Sequence, residues 1–232
     1  MLLEVKDLEA GYGRKKVVFG VSLGIGEGEI VALFGHNGAG KTTTLKTIFG
    51  VLKPMSGKVF FDGKDITHHT PSQSVKMGIT FCPQERFVFP DLNVRENLEL
   101  ATYSLEGGSH EERFEMIYRL FPILKEREKQ IAGTLSGGER RMLSIGMMLL
   151  MNPRLMLLDE PSLGLAPFLV QQIMDTVKNI ADELGVSILL VEQNVKQALR
   201  IANRAYVMKM GRIILEEDAR KLLDRGEWWD LF

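Results

Sequence analysis

The stretch "EIVALFGHNGAGKTT", Glu29 to Thr43, opens as a short apolar run, passes through three glycines and closes on hydroxyl residues. Glu29 to Gly35 read as a buried strand ending in glycine, and a helix follows from about Gly40 to Phe49, closed by Gly50. Gly35 to Thr43 fit G-x-x-x-x-G-K-[ST] between that strand and that helix. Glycines there let backbone N–H groups curl around phosphate oxygens, and the helix N-terminus adds a favourable dipole. In this geometry Lys41 reaches the β- and γ-phosphates and the Thr42 hydroxyl ligates Mg²⁺. Gly35, His36, Asn37, Gly38, Ala39, Gly40, Lys41, Thr42 and Thr43 are therefore the candidate nucleotide-binding residues. His36 stands at a variable position of the loop and needs no role of its own.

Outward from this loop, "ITFCPQ" (Ile79–Gln84), "RLMLLDE" (Arg154–Glu160) and "SILLVEQ" (Ser187–Gln193) read as further buried strands. Helical patterns such as "PFLVQQIMDTVKNIADEL" and "NVKQALRIAN" lie between or after them. Buried strands interleaved with helices imply a parallel α/β sheet. Residues 1–28 and "GKVFFDGKDI" alternate and are glycine-punctuated, as antiparallel strands at the flank of such a sheet would be. Residues 85–153 hold no convincing strand and several helical stretches. The expected architecture is an α/β P-loop NTPase core with a parallel sheet, flanking antiparallel strands and an inserted helical subdomain. The whole chain, 1–232, is one domain on this reading, with 1–84 and 154–232 as the nucleotide-binding core and 85–153 as the helical subdomain.

Composition narrows the classes. The 232 residues are 45% hydrophobic and 25% charged, enough to bury a core without staples. A net charge of −1 gives no electrostatic case for nucleic acid. The single cysteine, Cys82, excludes an internal disulfide and reads as an inert core thiol. "MLLEVKDLEA" turns acidic too early for a secretory signal. Met142–Met151, the most apolar stretch, is far short of the ~20 residues that span a bilayer. A chain soluble by itself is expected, with any membrane role supplied by a partner. Trp228 and Trp229 in "EWWDLF" are costly to expose and are expected to dock on the core or on a partner subunit.

The strand tip at Asp159 and Glu160 presents two carboxylates. Asp159 suits Mg²⁺, which prefers oxygen ligands and keeps its waters. Glu160 stands where it could orient and deprotonate an attacking water.

"TLSGGERRMLSIGMMLL" (Thr134–Leu150) poses a different problem. Met142, Ile145, Met148 and Leu149 recur at helical spacing, and Ser136 with Glu139 forms a capping box. Gly137 and Gly138 between them are poor helix formers, each costing roughly 1 kcal/mol relative to Ala. Bare backbone at a helix terminus makes sense if something bulky and anionic lies against it. The chain already has one phosphate cradle, so the second should serve a partner's nucleotide.

Taken together, "GHNGAGKT", "LMLLDE", "LSGGE" and Gln84 make the chain similar over essentially its whole length to the ATP-binding subunit of ABC transporters. The resemblance implies ATP as ligand with Mg²⁺, and two such domains sandwiching two ATP molecules head to tail. Leu135, Ser136, Gly137, Gly138 and Glu139 would then face the phosphate loop of a second subunit, either a sister ATPase or a second copy. Tyr12 in "AGYG" resembles the aromatic that stacks on adenine. Gln84 resembles the glutamine that touches Mg²⁺ and the attacking water. The catalytic set implied is Glu160, Gln193 and Gln84, and the metal set Thr42, Gln84 and Asp159.

Two positions depart from the common pattern. "LLVEQNVKQAL" has Gln193 where most members carry histidine, and "EPSLGLAP" has Ala166 where an aspartate is usual. Gln193 can donate an amide N–H to a phosphate oxygen but carries no charge. With "VEQN" and "PSLGLAP" these departures resemble the branched-chain amino acid uptake branch; urea and short-amide importers share much of the pattern. The resemblance implies a cytoplasmic ATPase on the inner face of the membrane, bound to two permease subunits and indirectly to a solute-binding protein, with no direct contact to the solute. A non-transport member of the superfamily and a P-loop kinase are the competing classes. The chain has neither the long heptad segment nor the excess of basic residues that would point to the former, and LSGGE would have no use in the latter.

Overall fold

The structure is a computed structural model that describes residues 1–84, 88–103 and 110–225. Trp228 and Trp229 lie outside the described residues. The chain begins with two long antiparallel strands, β1 (Leu3–Tyr12) and β2 (Lys15–Ile25). β3 (Ile30–Phe34) then leads through the glycine loop into α1 (Lys41–Phe49). β4 (Ser56–Phe61) and β5 (Lys64–Asp65) return to the first sheet, and α2 (Pro71–Lys76) precedes β6 (Ile79–Cys82).

A helical run follows: α3 (Val94–Thr102), α4 (Glu111–Leu120), α5 (Pro122–Glu126) and α6 (Gly137–Leu150). The chain then alternates through β7 (Leu155–Asp159), α7 (Pro167–Leu184), β8 (Ser187–Val191) and α8 (Val195–Ile201). It closes with β9 (Arg204–Lys209), β10 (Arg212–Asp218) and α9 (Ala219–Arg225).

Two sheets result. The antiparallel sheet runs β2-β1-β4-β5, and the larger one runs β10-β9-β3-β8-β7-β6. In the larger sheet every pairing from β9 to β6 is parallel, and β10 adds an antiparallel edge. The parallel strands are mostly apolar because both of their faces are covered. Ile30, Ala32 and Phe34 of β3 face one core with Met156, Leu158, Ile188 and Leu190. Val31 and Leu33 face the other with Leu155, Leu157, Leu189 and Val191. The first core is closed by the helices from α3 onward, the second by α1 and the antiparallel sheet. The side-chain period of two thus divides one apolar run between two layers.

The sequence pattern located β3, β6, β7, β8 and α7 but assigned no strands to residues 204–218, where β9 and β10 lie. β10 alternates half-buried and exposed residues and buries none fully, as an edge strand does. α6 also differs from a one-sided stripe. Residues 142–150 are buried all round, because α6 packs against α3, α4, α5 and β6 together. A helix apolar on every side belongs inside a core.

Gly50 ends α1 in the left-handed region, φ 89°, with its N–H directed to Lys46 and Thr47 carbonyls. An added Cβ there would sit 2.3 Å from the His69 carbonyl oxygen, which is backbone and cannot rotate away. Gly50→Ala is expected to destabilise the fold by about 2–4 kcal/mol, combining the conformational cost with the collision. Urea unfolding of the nucleotide-free protein measures it.

Candidate functional site

Parallel topology places the carboxyl ends of β3, β6, β7 and β8 along one edge of the sheet, the edge where open α/β sheets bind ligands. Asp159 pairs in register with Val191, and Cys82 with Leu158. The residues just beyond these ends are Gly35, Gln84, Glu160 and Glu192–Gln193. Groups more than a hundred positions apart in the chain are therefore brought to one place.

The loop after β3 leads into α1 without a side-chain cap, and the first turn of α1 carries no acidic residue. The N-terminal N–H groups and the dipole are thus directed at the cavity without an internal anion. Gly40 holds φ 108° at the helix start, a conformation L side chains rarely adopt. Lys41 is 5% exposed. Its Nζ donates to the carbonyls of Gly35 (2.8 Å) and His36 (3.2 Å) and lies 3.8 Å from Glu160 Oε1. Burial pushes its pKa down, opposed by the Glu160 and Asp159 carboxylates.

Asp159 is 1% exposed and accepts the Thr42 hydroxyl on Oδ1 at 3.1 Å. Its Oδ2 is buried without any hydrogen-bond partner. A buried carboxylate oxygen left unpaired is costly, and burial raises the Asp159 pKa while the Thr42 hydrogen bond opposes the rise. An oxygen-preferring divalent cation fits this donor set: one orphaned carboxylate oxygen beside one hydroxyl.

Glu160 leaves β7 with φ 51°, in the left-handed region unusual for a non-glycine residue, and its N–H bonds the Val191 carbonyl at 2.9 Å. Strain of this kind is held by surrounding contacts and concentrates at working sites. Its Oε2 accepts amide N–H groups from Gln193 (2.8 Å) and Gln84 (3.0 Å). Gln193 also donates to Asn37 Oδ1 at 3.2 Å. The three side chains Glu160, Gln193 and Gln84 thus form one cluster beside the phosphate loop. Tyr12, 47% exposed, stands with Lys15, Lys16 and Val17 on the wall of the same cavity. Lys41, Thr42, Gln84 and Glu160 also line this cavity, whose volume is about 790 Å³.

Residues 135–139 are not on that wall. Leu135 is buried, and Ser136 caps α6: its Oγ accepts the Glu139 N–H, and Glu139 Oε2 accepts the Ser136 N–H at 2.7 Å. The two glycines differ. A Cβ on Gly138 would press on Leu169 Cδ1 at 2.9 Å, so α6 and α7 approach closely there. A Cβ on Gly137 would meet only Leu165 Cδ2, at an ordinary 3.7 Å. Among the described residues, no contact requires residue 137 to be glycine.

Two contributors were not among the residues expected from the sequence. Arg141, on the second turn of α6, donates to the carbonyls of Pro83 (3.1 Å) and Gln84 (2.8 Å), and so fastens the Gln84 segment to the helix that starts at Gly137. The same guanidinium approaches Cys82 Sγ, whose thiol burial pushes up in pKa. Glu192 is the second; a charge ending an apolar strand was the available clue. It is 2% exposed and accepts the Ser162 N–H and hydroxyl, each at 2.8 Å. Ala166 precedes α7 without a side-chain cap, so the departure from aspartate leaves that helix start to Pro167.

The model of the ABC transporter family matches residues 18–163. The chain is 41% identical over 231 residues to the high-affinity branched-chain amino acid transport ATP-binding protein BraG of Pseudomonas aeruginosa, covering 100% of this chain and 99% of that one. It is also 41% identical over 228 residues to a probable branched-chain amino acid transport ATP-binding protein, LivF, of Archaeoglobus fulgidus, covering 98% and 96%. Among solved structures, a dimeric ATP-binding cassette in a post-hydrolysis state with ADP and Pi superposes with a TM-score of 0.84 at 27% identity, covering 94% of this chain and 99% of that one. The chain belongs to the ABC transporter family and is one of its ATP-binding subunits.

Proposed function

We propose that this chain hydrolyses ATP as one half of a head-to-tail pair and thereby drives import of branched-chain amino acids. The carrying observation is the Glu160 carboxylate, oriented by two amides and placed beside Lys41 and Asp159. ATP would lie along the cavity with adenine on Tyr12 and its phosphates on the N–H groups of residues 35–43. Glu160 takes the proton of a water that attacks the γ-phosphorus, and the bond to the ADP oxygen breaks in line. Gln84 and Gln193 occupy Oε2 and leave Oε1 toward Lys41, which neutralises charge on the transferred phosphoryl group. Thr42 and Asp159, with Gln84, would hold Mg²⁺, which when bound supplies charge stabilisation on the phosphate oxygens.

The second subunit's Leu135–Glu139 would complete each nucleotide site. Gly137, exposed and uncrowded within its own chain, supports this reading. Among the described residues no helix is long and apolar enough to cross a membrane, so passage of a solute falls to permease subunits. An apolar cavity of about 440 Å³ on the helical lobe (residues 85–153 of the sequence division), lined by Val88, Phe89, Leu100, Tyr103, Met147 and Met151, offers them a surface. A periplasmic or surface solute-binding protein would present the solute from outside, and the cassette would sit on the inner face through its permeases. Branched-chain amino acids rest on full-length similarity to BraG and LivF.

Three outcomes test this. Glu160→Gln should retain ATP binding yet lose at least about a hundredfold in turnover, the scale of general-base catalysis, while a dimer accumulates on gel filtration in ATP; wild-type turnover refutes the base assignment. Gly137→Ala should melt at or slightly above the wild-type temperature but lose hydrolysis, because its methyl group obstructs only the partner's nucleotide. Unchanged activity in that variant removes the paired site. Cells lacking the chain should fail to accumulate labelled leucine and isoleucine while taking up urea and acetamide normally; the reverse pattern assigns the solute to the amide importers.

A further inference from the structure

Glu192 is a buried carboxylate for which the hydrolytic scheme has no use. At 2% exposure it faces no cation among its hydrogen-bond partners. Its Oε1 accepts the Ser162 N–H at 2.8 Å, and its Oε2 accepts the Ser162 hydroxyl at 2.8 Å and the Gln193 N–H at 3.1 Å. Burying a carboxylate with no cation beside it is expensive even when it is hydrogen-bonded, and burial does raise its pKa against these donors and the Asn194 N–H. An apolar strand end would be cheaper if holding β8 in place were all that is required.

The donors identify what is being held. Ser162 lies two residues beyond Glu160 on the loop leaving β7, and Gln193 follows β8. Glu192 therefore ties together the two loops that meet again above it, where Gln193 Nε2 donates to Glu160 Oε2 at 2.8 Å. That pair closes a ring: Glu160 to Ser162 along the chain, Ser162 to Glu192, Glu192 to Gln193, and Gln193 back to Glu160. A neutral amide at position 193 has no charge to draw it to a carboxylate or a phosphate, so its aim depends on backbone placement.

We propose that Glu192 is a positioning residue for ATP hydrolysis, fixing the loop after Glu160 and the Gln193 turn in one register so that the Gln193 amide orients the Glu160 carboxylate. The proposal rests on Glu160 as the base. Neither substitute can reproduce the clasp: glutamine must set an NH₂ against either the Ser162 or the Gln193 N–H, and aspartate is one methylene too short to reach both loops.

Steady-state hydrolysis of Mg-ATP by the full-length chain tests it, with Glu192→Gln, Glu192→Asp, Ser162→Ala and Gln193→Ala alone and with Glu192→Gln combined with Gln193→Ala. Glu192→Gln and Glu192→Asp should lower kcat about 10- to 100-fold, the scale of a misplaced catalytic group, with the KM for ATP within about twofold. Ser162→Ala should lower kcat in the same direction by less. The double variant should be no slower than Gln193→Ala, because the Glu192 effect runs through residue 193. Four results overturn the proposal: full additivity in the double variant, parallel loss of ATP affinity and thermal stability, unchanged kcat in Glu192→Gln and Glu192→Asp, or an inert Gln193→Ala. Should Glu192→Gln not fold, the same cycle run with Ser162→Ala decides between these outcomes. A wild-type chain without hydrolysis, or a fully active Glu160→Gln, would instead remove the base assignment itself.

Discussion

The parallel pairing of β6, β7, β8 and β3 is the constraint on which the rest depends. Antiparallel neighbours would send alternate strand ends to opposite edges of the sheet. Here all four end on the same side, each shortly before a residue of the candidate site, and helices cover both faces, α1 on one and those from α3 onward on the other. The hydrogen-bond register that sets Asp159 beside Val191 also sets how far apart the resulting loops stand. Rigid strands thereby fix the site, and only short loops need to be shaped locally.

Within that frame three acidic residues with similar intrinsic chemistry occupy different environments. Asp159 keeps one oxygen on Thr42 and leaves the other unpaired and buried, the arrangement of a cation ligand. Glu160 accepts two amide N–H groups and stands near Lys41, so its carboxylate is oriented but still faces the cavity. Glu192 is enclosed by hydrogen-bond donors of two loops and presents nothing to the cavity. The differences among them lie in what surrounds each carboxylate and in how much water reaches it.

α6 carries a second kind of connection. Its N-terminus bears the exposed Gly137 and the capping box, while Arg141 one turn later holds the backbone at Pro83 and Gln84. Gln84 in turn touches Glu160. The start of α6 is therefore linked to the carboxylate through one helical turn and these hydrogen bonds. From residue 142 onward the same helix is buried between α3, α4, α5 and β6.

The sequence alone determined the elements whose chemistry is local. The glycine loop, the buried strands ending at Phe34, Cys82, Asp159 and Val191, the α7 helix and the Ser136–Glu139 box are written in short-range spacing, because backbone geometry fixes those periods. The places of Lys41, Thr42, Asp159 and Glu160 in the fold were legible for the same reason, at strand tips or in a contiguous motif. What Gln84 and Gln193 touch, the orphaned oxygen of Asp159, the grip of Arg141 and the enclosure of Glu192 were decided only by tertiary structure. Each of these depends on a partner dozens of residues or more away, and no local pattern records which strand ends a parallel sheet will bring together. β9 and β10 escaped for a related reason: an edge hairpin with one half-buried strand has little hydrophobic contrast until the sheet beside it exists. Even the glycine pair split on this line, since only the packing of Leu169 against Gly138 separates a crowded position from an open one.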